Sequence, residues 1–316
     1  MDIAKKRIMA DMKNLKKNDE LKKCGIHVKF NEDNIYNAQA LILGPAGTPY
    51  EKGFYFFDIN FPSDYPMNPP KVKFCTLDGH VRFNPNLYAC GKVCLSIIGT
   101  WSGPGWTSCL TLSTVLVSIQ SLLNENPITN EPGFEKEPLT GETSKTYNNV
   151  IAYNNIRVAV IKMLENTPYI FKYFKPIMVD YFNKYKDFYS NYINKHIKLH
   201  NKKYSTRIYS MNGKYDMKFL EENIKIISSK YGNIETQSNL EEQSNETVST
   251  VEQKTQITEK KTKKTPNENA NDYNVGYICK STNDEREYVV KQMSFNKKSS
   301  DGSIKKIEFK KWVLKK

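Results

Sequence analysis

Arg82-Phe83-Asn84-Pro85-Asn86-Leu87-Tyr88-Ala89-Cys90-Gly91-Lys92-Val93-Cys94-Leu95-Ser96-Ile97 carries no helical or strand period, yet it holds two cysteines, two prolyl-flanking asparagines and a glycine within sixteen positions. It sits inside a longer aperiodic stretch, from Phe74 to about Ser108, that contains three cysteines and two tryptophans. Irregular segments of that length inside compact domains usually carry function. A thiol is a useful nucleophile when it is accessible and partly ionised, and a free thiol with a pKa of about 8.5 is a few per cent thiolate near neutrality. Cysteine is also among the most buried residue types, so Cys94 in a loop does not by itself announce a reaction.

Towards the N-terminus, Ile8, Met12 and Leu15 recur at helical spacing between Ile3 and Lys17, with Lys5, Lys6, Arg7, Lys13, Lys16 and Lys17 filling the rest. This predicts an amphipathic helix with a basic face. Four short stretches rich in β-branched and aromatic residues follow, Ile26 to Phe30, Ala38 to Leu43, Phe54 to Phe61 and Lys71 to Phe74, divided by turn-forming clusters. They predict a four-stranded antiparallel meander. Phe57, Ile59 and Phe61 alternate with Asp58 and Asn60, the pattern of a strand with one face on a core and a wetter second face. Gly44-Pro45-Ala46-Gly47-Thr48-Pro49 lacks a following Gly-Lys-Ser/Thr and precedes a strand, so it reads as a hairpin connection and not a phosphate loop.

Towards the C-terminus, Leu112, Val115, Leu116, Ile119, Leu122 and Leu123 form a helical stripe behind Thr111 as N-cap, which predicts a central buried helix. Further helices are predicted over Val150 to Leu164, Pro176 to about Leu199, and Asp216 to Tyr231. The second is lined by Tyr181, Phe182, Tyr185, Phe188, Tyr189 and Tyr192; beside Met178 and Ile193 these rings read as packing surface before base-stacking surface. Residues 233–270 are almost free of aromatic residues and predict a disordered linker. Beyond it, Arg286 to Met293 and Ser303 to Leu314 alternate apolar with basic residues about a Ser299 to Gly302 turn and predict a small basic hairpin within residues 271–316.

A 316-residue chain can bury one sizeable core and add a small module. Its six cysteines, with no N-terminal apolar signal, point to thiols in a reducing compartment, with the cytoplasm, and the nucleus with it, as the expected location. No apolar run approaches the roughly 18 residues that span a bilayer. The formal net charge of +13 favours acidic partners without choosing among them, and it is spread from Lys5 to Lys316 as on a solvated surface. Cys90 and Cys94 form a Cys-x-x-x-Cys pair, but no second pair has zinc-like spacing, and His196 with His200 stands far along the chain. No metal and no cofactor is expected. Two thiols able to join on oxidation are the other reading of that pair.

Over roughly residues 1–165 the sequence resembles the ubiquitin-conjugating enzyme family. The family's pattern of basic first helix, four-strand meander, Tyr-Pro-x-x-Pro-Pro, His-Pro-Asn and active cysteine is met by Tyr65, Pro66, Pro69 and Pro70, by Asn86 closing the tripeptide, and by Cys94 eight positions later. Gly99-Thr100-Trp101-Ser102-Gly103-Pro104-Gly105-Trp106, then Asn124-Glu125-Asn126-Pro127 and Asn130-Glu131-Pro132-Gly133-Phe134-Glu135, is similar to the long Z-type branch. The implied fold is α+β, with residues 1–165 as conjugating core and 166–232 as its helical extension.

The resemblance implies that Cys94 accepts ubiquitin or a ubiquitin-like protein from an activating enzyme and passes it to a lysine amine or a ligase cysteine, ATP being used by the activating enzyme upstream. It implies Asn86 as oxyanion donor or as holder of the loop, and Glu131 as the acidic group that orients and deprotonates the acceptor amine. The basic helix, through Lys5, Lys6 and Arg7, is the implied docking face for the activating enzyme. Three departures from the family pattern stand out: Asn84 replaces the motif's histidine, as in the Z-type branch, Thr107-Ser108-Cys109 replaces Ser-Pro-Ala, and Met67 replaces an aromatic on the ligase-binding surface. The alternatives are a silent scaffold of the same fold, whose members lack the cysteine, and a nucleic-acid-binding protein acting through the basic tail, which leaves Asn86 to Cys94 unexplained.

Overall fold

The computed structural model describes residues 2–17, 19–232, 278–280, 287–298 and 304–314. Helix α1 (Ile3–Lys17) and the single turn α2 (Glu20–Lys23) lead into β1 (Ile26–Phe30), β2 (Asn37–Leu43), β3 (Phe54–Asn60) and β4 (Lys71–Phe74). Each strand pairs antiparallel with the next, in the order β1-β2-β3-β4, as the alternating segments predict. Helix α3 (Leu112–Leu122) buries Leu112, Val115, Leu116 and Ile119, and the Thr111 hydroxyl accepts from the Thr114 amide at 3.3 Å as its N-cap.

Helix α1 is locked to α3 by a buried carboxylate. Asp11, 3 % exposed, accepts from Arg7 Nε at 3.0 Å, from the Tyr65 hydroxyl at 2.5 Å and from the Leu112 amide at 3.3 Å, so it also caps the first turn of α3. A charge this deep is tolerated because it is paired and fully hydrogen-bonded; stripping one partner from such a site typically costs about 3 to 5 kcal/mol.

The C-terminal elements depart from the sequence expectation in three places. The helix expected from Val150 begins earlier, as α4 (Glu142–Asn154), and runs on through a π-helical stretch (Asn155–Lys162) into α5 (Met163–Glu165). The single helix expected from Pro176 to Leu199 is two, α6 (Lys175–Lys184) and α7 (Lys186–His196). Tyr185 leaves helical backbone between them, with φ −119° and ψ 20°, and its amide is shared by the carbonyls of Tyr181 and Phe182 at 3.2 and 3.1 Å. The bend lets Phe182 and Tyr189 stack at 5.2 Å in the core. Between α7 and α8 (Met217–Tyr231) lies a two-stranded ribbon that no periodicity announced, β5 (Lys203–Ser205) with β6 (Asn212–Lys214).

The wetter face expected of β3 is covered over its first half. Phe54, Tyr55, Phe56 and Phe57 are all fully buried. The 3-10 turn Tyr169–Phe174 lays Phe171 against Phe56, with rings stacked at 4.5 Å, and α6 brings Tyr181 to Phe54 at 6.2 Å. The aromatic run of α6 and α7 is therefore packing surface, Tyr189 also donating its hydroxyl to the Lys52 carbonyl at 2.8 Å.

A second unit, from Glu242 on, contains β7 (Ile278–Lys280), β8 (Glu287–Lys298) and β9 (Ile304–Leu314). β8 pairs antiparallel with β9, Lys291 opposite Lys311, and β7 adds a third strand on β8. The expected linker 233–270 and the Ser299 to Gly302 turn lie outside the described residues.

Candidate active site

The aperiodic stretch after β4 is held by hydrogen bonds, not by secondary structure. Gly91 has φ 94°, and a Cβ there would lie 2.7 Å from the Phe74 carbonyl oxygen, so only glycine fits where its own carbonyl accepts the Phe74 amide at 2.8 Å. That contact ties the loop to the end of β4. Single bridges between Lys73 and Lys92 and between Leu87 and Val93 continue the pairing, and bring Val93 and Cys94 alongside Asn86.

Asn86 and Cys94 are joined twice. The Cys94 amide donates to the Asn86 carbonyl at 2.8 Å, and the Asn86 side-chain nitrogen donates to the Cys94 carbonyl at 2.8 Å. One amide hydrogen of Asn86 is thereby engaged in holding the loop. Its Oδ1 is buried with no protein partner. Asn84, in place of the family's histidine, builds the loop from beneath: its nitrogen donates to the Tyr50 hydroxyl at 2.9 Å and to the Leu122 carbonyl at 2.7 Å, and its oxygen accepts from the Asn86 amide at 2.9 Å. Tyr50 donates its own hydroxyl to the Phe83 carbonyl at 2.7 Å, and complete burial holds the phenol far above its usual pKa, so it stays a donor. Beyond Cys94, the Thr100 hydroxyl donates to the Val93 carbonyl at 2.7 Å and accepts from the Leu95 amide at 2.9 Å.

Cys94 is 1 % exposed, whereas Cys24, Cys90 and Cys109 are exposed. The accessible thiol expected from the loop context is covered in this conformation.

Glu131 follows a 3-10 turn (Pro127–Asn130) whose last residue, Asn130, donates to the Asn84 oxygen at 3.4 Å. Hydrogen bonds thus run from Cys94 through Asn86 and Asn84 to the residue preceding Glu131. The Glu131 carboxylate accepts a short hydrogen bond from the Tyr209 hydroxyl. Tyr209 lies on the β5–β6 connection, and its ring meets the Arg82 guanidinium at 3.9 Å; the Tyr88 ring meets the same guanidinium at 3.6 Å. Arg82 Nη2 donates to the Pro85 carbonyl at 2.6 Å. Cation–aromatic contacts of this geometry contribute about 0.5 to 2 kcal/mol each. Sequence reasoning missed Tyr209 and Arg82, since nothing in the local pattern links positions 82 and 131 to position 209.

On α1, Lys5 and Lys6 are exposed. Arg7 is not part of that free face, because its two terminal nitrogens donate to the Ser108 and Leu110 carbonyls at 2.6 and 2.5 Å while Nε pairs with Asp11. Met67 is 67 % exposed, and Trp106 donates from its indole to the Pro66 carbonyl at 2.7 Å. Among the described residues no helix is long and apolar enough to cross a membrane, and no three His, Cys, Asp or Glu side chains group as a metal site would require.

A family model described as ubiquitin-conjugating enzyme matches residues 7–155. Ubiquitin-conjugating enzyme E2 Z of Xenopus tropicalis is 49% identical over 167 residues, covering 52% of this chain and 53% of that protein. The human protein of the same name is 48% identical over 167 residues, covering 52% and 47%. The human dual E2 ubiquitin-conjugating enzyme/E3 ubiquitin-protein ligase BIRC6 is 42% identical over 159 residues, covering 46% of this chain and 3% of its own length. The chain thus spans about half the length of the E2 Z relatives. With the four-strand order and the Asn86–Cys94 loop, these matches identify residues 7–155 as a ubiquitin-conjugating enzyme domain, similar to that of the Z-type branch.

Proposed function

We propose that the protein carries ubiquitin or a ubiquitin-like modifier as a thioester on Cys94 and transfers it to a lysine amine or to a ligase cysteine. The observation that carries the reading is the double hydrogen bond between Asn86 and Cys94, which fixes the backbone on both sides of the sulfur at 2.8 Å. Loading exchanges one thioester for another, so little chemical driving force is needed and the protein's work is positioning and stabilising a tetrahedral oxyanion. Asn86 holds the loop with one amide hydrogen and keeps the second for that oxyanion. ATP enters only at the activating enzyme.

Discharge to lysine makes a different demand, because the amine must lose a proton to attack. In this reading Glu131 receives it. The partners that follow are a modifier, an activating enzyme docking at Lys5 and Lys6, a ligase, and protein substrates. Full-length protein is incubated with activating enzyme, ATP and labelled ubiquitin, then resolved with and without reductant. The wild type is expected to form an adduct that reductant cleaves, Cys94→Ser an oxygen ester that survives reductant, and Cys94→Ala none. An undiminished adduct on Cys94→Ala would falsify the assignment.

A further inference from the structure

Tyr209 lies outside the matched region, 78 residues along the chain from Glu131, and its hydroxyl nonetheless donates to Glu131 Oε2. An ionised carboxylate can only accept, so the bond has one direction: the phenol holds one oxygen and leaves the other to a second donor. Burial, then this hydrogen bond, raise the Tyr209 pKa, so the donor keeps its proton.

The connection that delivers Tyr209 is built for that placement. Thr206, buried, donates its hydroxyl to the Ile208 carbonyl at 2.6 Å and accepts the Met211 amide at 3.2 Å. Met211 accepts the Arg82 amide on its sulfur at 3.3 Å, and the Tyr209 ring meets Tyr147 edge-on at 6.2 Å. Tyr209 and Ser210 both have positive φ, 64° and 49°, a backbone region that side chains disfavour and that glycine or asparagine would fill at less cost. Two successive strained residues persist only where the surroundings fix them, and such sites gather around function. What this strain presents is the phenol on Glu131.

We propose that Tyr209 is a positioning residue for transfer to amines: its hydroxyl orients the Glu131 carboxylate towards the acceptor lysine. This rests on the proposed role of Glu131. In that step the lysine nitrogen bonds to the thioester carbonyl carbon, the carbon–sulfur bond breaks with its electron pair leaving on Cys94, and the proton shed by nitrogen passes to the Glu131 oxygen that Tyr209 does not engage, then to water. A cysteine acceptor attacks as its thiolate fraction, having already lost its proton to solvent, and sheds none in the step. Tyr209 therefore separates the two acceptor classes, although it touches neither.

The test uses full-length protein preloaded with fluorescent ubiquitin, the activating enzyme quenched, and a chase of free lysine or free cysteine. Tyr209→Phe keeps the ring on Arg82 and removes only the hydroxyl. It is expected to load like wild type, discharge to cysteine at the wild-type rate, and lose about tenfold in kcat for lysine with little change in KM. Combined with Glu131→Gln, it is expected to add no further loss. Wild-type lysine discharge by Tyr209→Phe, equal slowing towards both acceptors, or a further loss on Glu131→Gln would each overturn the proposal. If Glu131→Gln itself discharges to lysine at full rate after normal loading, the role of Glu131 fails and that of Tyr209 with it. Absence of loading in the wild type would instead remove the thioester reading.

Discussion

Asn86 and Cys94 clasp each other through backbone and side chain, each bond 2.8 Å long, so the residue proposed to assist the reaction also sets the shape of the loop in which the reaction would occur. The two roles separate by measurement. Asn86→Ala removes a buried hydrogen bond and leaves the Cys94 carbonyl without its donor, which is expected to lower unfolding stability by about 1 to 2 kcal/mol. Thioester formation in a single turnover is expected to fall at least about tenfold, in line with loss of an oxyanion donor or of its geometry. Asn86→Asp, which cannot donate, should match the alanine variant in rate. A full-rate Asn86→Ala with a lowered denaturation midpoint would leave only the loop-holding role.

The first helix sets its basic residues in two different surroundings. Lys5 and Lys6 face solvent, so reversing both to glutamate is expected to slow loading by roughly tenfold at low salt, less at high salt, while discharge of preloaded protein stays unchanged. Arg7→Glu is a different experiment. It places an acidic side chain beside buried Asp11 and strips donors from the Ser108 and Leu110 carbonyls, with an expected loss of roughly 3 kcal/mol of stability by denaturant titration. Equal slowing of loading and discharge by the lysine reversals would count against docking at this face.

Covered sulfur reacts slowly. Cys24, Cys90 and Cys109 are exposed, and brief treatment with iodoacetamide at pH 7.5, read by peptide mass, is expected to label them well before Cys94. Cys75 is also expected to lag, because burial pushes its thiol up to about 11. Labelling of Cys94 at the same rate as Cys90 would mean that the covering conformation is a minor one in solution.

Much of this was readable from residue order because the signals were local. The four strands fall where apolar and polar residues alternate between turn clusters, and α3 begins at the threonine whose hydroxyl caps it. Asp216, the residue from which the last helix was expected, likewise caps α8 by accepting the Phe219 amide at 3.0 Å. Cys94 and Asn86 came from the resemblance to a family motif, which both residues match within one short stretch. The break at Tyr185, the β5–β6 ribbon, the inward turn of Arg7 and the Tyr209–Glu131 bond depend on partners far along the chain, which no window of periodicity contains. The wetter face of β3 holds at Asp58 and Asn60 but is covered at Phe54 and Phe56 for the same reason: alternation reports what a strand offers, not which later segment arrives to lie on it.

That later segment sets where the protein can be divided. Phe56 has Phe171 as its neighbour, and Phe54 has Tyr181, so the sheet and the residues beyond 165 dry one another. A version shortened at residue 165 would be a sheet with wet aromatic rings, expected to self-associate. Residues 166–232 are in this sense the outer wall of the four-stranded sheet, and any shortening of them has to rebuild that wall.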